Sequence, residues 1–181
     1  MAPVRREDPG FLDETGSHPG STPTHAWAPR GERAHATAPA HRGEDKTVVA
    51  ALTLDGVGPV MRFDGAMTAA RFGGDVRFVL APTLRDGQVV IADNLSAHHS
   101  PAVRAASEER GARFLPLPAY SPDCNPIEEA CSKVKHFLRR AEARTDDALR
   151  AATWAAFATI TSANADGWFT HCGHPPHDQP S

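Results

Sequence analysis

The chain has 181 residues, with Lys+Arg 19 against Asp+Glu 22, ten histidines and 40% hydrophobic residues. That length suits one domain able to bury a core, and no apolar run approaches the roughly 18–20 residues that span a bilayer, which excludes a helical membrane protein. The net charge of −3 argues against a uniformly basic coat for nucleic acid but leaves room for a local basic patch.

The first 45 residues read as irregular, rich in Pro, Gly, His and Thr. Phe11-Leu12, followed by Asp13-Glu14, reads as the end of a short strand, and His35–Ala40 as a weak strand bracketed by Pro29 and Pro39. Thr47–Leu54 reads as a buried strand, turned at Asp55-Gly56 into a returning arm, Pro59–Phe63. Residues 68–80 carry Phe72, Val76, Val79 and Leu80 at helical spacing, weakened by Gly73-Gly74. Gln88–Ala92 is the most continuous β-type run and ends in Asp93-Asn94, the pattern of an interior strand. Ser100-Pro101 opens a helix to Gly111, Arg113–Leu117 forms a short strand, and a proline-rich loop leads to a helix from Asn125-Pro126 to about Arg144. A last helix, carrying Leu149, Ala152, Trp154, Phe157 and Ile160, begins near Thr145. The expected organisation is an irregular segment 1–10, one α/β domain with a mixed sheet over 11–170, and a flexible tail 171–181. The opening MAPVRREDPG lacks the apolar middle of a secretory signal, and Cys124, Cys131 and Cys172 form no disulfide framework, so a cytoplasmic setting is expected.

Three acids stand where an α/β fold displays functional groups. Asp13 and Asp93 follow strand candidates, and Glu128 lies in the first turn of a helix. Such a set, without His or Cys at metal spacing, suits hard cations such as Mg2+ or Mn2+. Each acid also has an ordinary structural reading. Asp93-Asn94 suits a turn after a strand, Asp13 an exposed surface position, and Glu128 a reciprocal cap with Asn125. His171, Cys172, His174 and His177 fit no standard zinc spacing.

The block Val89–His98, then Phe114–Glu129 and Ser132-Lys-Val-Lys135, closely resembles the DDE endonuclease domain of bacterial insertion-sequence transposases related to the mariner superfamily. Thirty-four residues separate Asp93 from Glu128, the spacing usual in that superfamily. Phe11-Leu-Asp-Glu-Thr-Gly16, Trp27–Arg33 and Trp168–Gly173 resemble its first acidic motif, the element after it, and its usual chain end. The resemblance implies an RNase H-like, retroviral-integrase-like fold of a mixed sheet flanked by helices. It also implies DNA cleavage and strand transfer, with Asp13, Asp93 and Glu128 holding two Mg2+ or Mn2+ ions. Asn94 and His98 match family positions that support the carboxylates or remain structural. Glu14 should point away from Asp13's face, and Glu129 is turned about 100° from Glu128. Lys133, Lys135, Arg139 and Arg140, with Arg30 and Arg33 as further candidates, form a basic set that either follows a DNA backbone or is a solvated helix face. The implied partners are double-stranded DNA, as transposon ends and target, and a second copy or an intact transposase. The implied location is the bacterial nucleoid.

Relatives carry helix-turn-helix domains ahead of the catalytic one, so a truncated copy is expected. A copy that only binds DNA or an intact transposase is the alternative. Glu7-Asp8-Pro9-Gly10 stands where apolar strand residues are usual, which predicts a clipped first strand and a poorly held Asp13.

Overall fold

In the computed structural model, residues 9–93, 101–118 and 121–174 are described. Five strands form one sheet: β1 Pro9–Ser17, β2 Lys46–Thr53, β3 Gly56–Asp64, β4 Val89–Ala92 and β5 Arg113–Pro116. Their order is β3-β2-β1-β4-β5. β1–β2 and β2–β3 are antiparallel, whereas β1–β4 and β4–β5 are parallel. The sheet is therefore mixed, and β1 is its central strand. The helices are α1 Ala69–Asp75, α2 Pro101–Glu108, α3 Pro126–Ala141, α4 Asp146–Ala158 and α5 Ser162–His171.

Period-two alternation sends neighbouring residues to opposite faces, and both faces are covered. Phe11, Val48, Ala50 and Leu52 pack with Ile127, Val134, Leu138, Leu149, Phe157 and Phe169 from α3, α4 and α5. Leu12, Val49, Ala51, Val90 and Ala92 pack with Phe72, Val76, Leu80 and Val103 from the α1–α2 side. Between the pairs Ala50–Val60 and Leu52–Val57 the register shifts by one residue, so the extra residue, a bulge at Gly58-Pro59, lies in β3.

The first strand is not clipped. It runs nine residues, with Pro9 paired to Val89 and Gly10 to Val90, so Asp13 lies mid-strand rather than at its end. Proline is tolerated as the first residue of a strand, where a missing N–H costs least. His35–Ala40 forms no strand. The predicted 68–80 helix is shorter: α1 stops at Asp75 and the chain continues as a wider π turn, Val76–Leu80. Phe72, Val76 and Leu80 are buried as expected, but Val79 is exposed. α2 ends at Glu108, and Ser100 lies outside the described residues. α3 ends at Ala141 instead of Arg144, because Glu142 adopts a left-handed conformation (φ 47°).

The single last helix is in fact two. Thr161 caps α5 through a reciprocal pair with Asn164, and the β-branched run Thr159-Ile160-Thr161 breaks continuity. Of the described residues beyond α5, Cys172 is buried and the His174 ring lies tilted against Phe11, with centroids 5.2 Å apart. No helix among the described residues is long and apolar enough to cross a membrane.

Candidate active site

Asp13 occupies the middle of the central strand, opposite Ala50 in β2. It shares a face with Phe11 and Thr15, beneath α3, and only 6% of it is exposed. The parallel register pairs Phe11 with Ile91 and Leu12 with Ala92, so Asp93, the next residue along, leaves β4 beside Asp13. Asp93 is half-buried and Glu128 exposed, in the first turn of α3.

Electrostatics ties the three together. Burial is the main force raising the Asp13 carboxyl to about 7, and the charges of Glu128, Asp93 and Glu14 push the same way. A 2.7 Å hydrogen bond from the Glu14 N–H to Asp13 Oδ1 opposes the shift. The capping role open to Glu128 is not taken up. Asn125 makes no side-chain cap, and its N–H donates instead to the Pro122 carbonyl at 2.9 Å. Glu128 and Glu129 separate as helical geometry requires: Glu128 bears on Asp13 and Cys131, whereas Glu129 bears on Cys172. Burial, then the Asp13 charge, pushes the Cys131 thiol up to about 12, so it stays protonated and unsuited to binding a metal as thiolate.

Among the described residues no three His, Cys, Asp or Glu side chains already surround one point. The donor set nonetheless fits hard cations. It consists of carboxylates, one of them enclosed and short of counter-charge, which is the setting in which a divalent ion offsets like-charge repulsion. Asn94 and His98 lie outside the described residues. Spacing along the chain assigns His174 no role, yet its Nε2 lies 3.2 Å from the Cys124 carbonyl while its ring covers Phe11. It thus braces β1 and the loop before α3 together.

The basic set on α3 divides into two stripes. Lys135 and Arg139, four residues apart, line a cleft at the far end of β1. Lys133, His136 and Arg140 line another flank, where Lys133 Nζ donates to the Thr159 carbonyl (2.8 Å) and Asn164 Oδ1 (2.7 Å). Lys133 thereby fastens the α4–α5 junction. Arg30 and Arg33 are exposed on the long connection from β1 to β2.

The sequence matches the DDE superfamily endonuclease family over residues 10–150. The chain belongs to this family. No curated protein sequence matches this DDE-family chain significantly. Solved structures supply the fold. "Mos1 transposase paired-end complex with left transposon end" superposes with a TM-score of 0.71 at 22% identity, covering 94% of this chain and 53% of that one. "Mos1 mariner paired end complex with Mn" gives 0.69 at 20% identity, covering 92% and 53%. The catalytic core domain of BIV integrase gives 0.52 at 13% identity, covering 84% and 82%. The DDE-family chain therefore has the RNase H-like fold, and it spans about half the length of the Mos1 chains it matches.

Proposed function

We propose that this chain is the catalytic core of a DDE transposase that cuts DNA and transfers strands, with Asp13, Asp93 and Glu128 holding two Mg2+ or Mn2+ ions. The observation that carries the reading is the enclosed Asp13 carboxyl, flanked by the charges of Asp93 and Glu128. The chemistry supplied by the bound pair is activation of the attacking hydroxyl and neutralisation of charge at the leaving 3′ oxygen. The protein's own part is positional. β1 holds Asp13 by its pairing with Ala50 of β2, β4 ends at Ala92 beside Leu12 so that Asp93 follows next to Asp13, and α3 packs on the same face of the sheet with Glu128 in its first turn. Asp13 gives up its proton to act as a ligand, and Cys131 remains a neutral neighbour. The Lys135–Arg139 stripe supplies positive charge for double-stranded DNA, as transposon end or target. The Mos1 paired-end complexes, one of them with a left transposon end, support a transposon end as the DNA partner.

The test is nicking of supercoiled plasmid with Mg2+ or Mn2+, against chelator. Wild-type protein should nick only with metal, and Asp93→Asn and Glu128→Gln should fall to background. Full nicking by both variants sinks the assignment. Wild-type protein that binds DNA but never cuts it would replace this reading with a binding-only role.

A further inference from the structure

The face of β1 that carries Asp13 continues through Thr15 and Ser17, both buried. Thr15 Oγ1, Ser17 Oγ and His18 Nδ1 are enclosed without a hydrogen-bond partner. Buried polar atoms are nearly always satisfied, so three orphans in succession mark a place that an outside group completes. At Ser17 the row meets a cleft of about 860 Å3, lined by Ser17, His18, Arg42, Lys135 and Arg139 among others.

The rim of this cleft is tied down. Arg144 Nη1 donates to the carbonyls of Ser21 (3.0 Å) and Pro19 (3.4 Å), and the Gly20 N–H donates to the Arg42 carbonyl (2.9 Å). Its charges are partly spent. Arg42 pairs with Asp45 at 3.1 Å, and Lys46 is held by Glu44, Asp64 and Asp146. Lys135 and Arg139 have no such partners among the described residues, so the cleft keeps a positive surplus. Its volume far exceeds that of a small ion (a water occupies about 30 Å3) and suits a stretch of polymer.

We infer that this cleft is a subsite gripping a backbone phosphate of the DNA strand held at the acidic centre, with Ser17 Oγ–H, Lys135 and Arg139 as donors. The inference rests on the proposed DNA-cutting function and adds a second point of grip to it. Ser17 lies four residues on from Asp13 along extended chain, about 13 Å away. That is roughly four base-pair rises along a duplex. Ammonium, guanidinium and hydroxyl are the groups that bind phosphate oxygens strongly, and none of them reads base sequence.

The experiment measures binding of a fluorescein-labelled duplex in chelator across a salt series, alongside steady-state nicking with Mn2+. With both cationic side chains made neutral, Lys135→Gln/Arg139→Gln should reduce the slope of log K against log salt by about 1.8. The same variant should raise KM while kcat at saturating DNA holds. Ser17→Ala should weaken binding several-fold with the slope unchanged, and Arg77→Gln, on the opposite face of the sheet, should change neither. Unchanged slope and affinity in the first two variants overturn the subsite. The binding arm reads this out even if wild-type protein fails to nick, a result that would refute only the proposed activity. Inorganic phosphate, at matched ionic strength, should displace DNA no better than chloride. Stronger displacement that Lys135→Gln/Arg139→Gln abolishes would assign the cleft to free phosphate and overturn the strand reading.

Discussion

Replacing Asp13 by Asn should stabilise the metal-free protein, by an amount that depends on pH. Burial, reinforced by Glu128 and Asp93, raises the folded-state pKa to about 7 from 3.8. Below pH 3.8 the carboxyl is protonated in both states and costs nothing. Between 3.8 and about 7 the folded chain holds a proton that the unfolded chain releases, so stability falls as pH rises, and above 7 the loss is complete. At about 1.4 kcal/mol per pH unit, the full loss is on the order of 4 kcal/mol, and the part between pH 5 and 8 about 3 kcal/mol. Urea unfolding of both proteins in chelator, at pH 5 and pH 8, isolates this term, because the other titrating groups are shared. The Asn variant should gain over wild type by about that margin on going to pH 8. A gap that does not change with pH, or an Asn variant that loses ground at pH 8, would refute the picture of an enclosed, charge-crowded carboxyl. Mn2+ added at pH 8 should then stabilise wild type and not the variant.

Other expectations concern the frame around the site. Phe169→Ala removes a fully buried ring set edge-on to Phe11 at 5.3 Å and should cost about 3–5 kcal/mol in chemical denaturation. Asp146→Ala deprives the largely buried Arg62 guanidinium of its partner and Lys46 of one of three. Because Asp146 itself is about half exposed and screened by solvent, only a small loss is expected, seen as a slightly lower urea midpoint. Thr161→Ala removes the α5 cap and should cost about 1 kcal/mol, with a lower thermal midpoint. Gly111→Ala should lower the yield of folded protein, since Gly111 has φ +71° and a Cβ there would lie 2.0 Å from Asp86 Oδ1.

The sequence made much of the frame readable wherever one period dominated. Val48–Leu52 and Val89–Ala92 read as strands because both sheet faces are buried and apolar residues run on. α3 read correctly at its start, where Asn125-Pro126 is a strong signal. The errors came where local propensity lost to tertiary context. Pro9-Gly10 argues against a strand in isolation, yet β4 supplies its pairing partner from some eighty residues away. The α4–α5 break was hidden because alanine-rich composition continues through it, while the deciding feature is one capping pair. Strand ends and a helix start single out Asp13, Asp93 and Glu128 as candidates, but motif resemblance is needed to prefer a metal-binding set over their ordinary structural readings, since spacing along the chain carries no information on side-chain approach. Thr15, Ser17 and His18 gave no signal at all, because an unsatisfied hydroxyl exists only once its surroundings are folded.

The helix α3 joins two functions that sequence keeps apart. Glu128 sits in its first turn and Arg139 in its last, eleven residues on, about 16 Å along a rigid axis. Acid and base therefore cannot move independently: any tilt of the helix carries both. Arg144, just past its end, holds the 19–21 rim to the same rod. On the functional reading proposed above, the cut is placed like a mark on a ruler, at a fixed length from where the strand is gripped, whatever bases lie between.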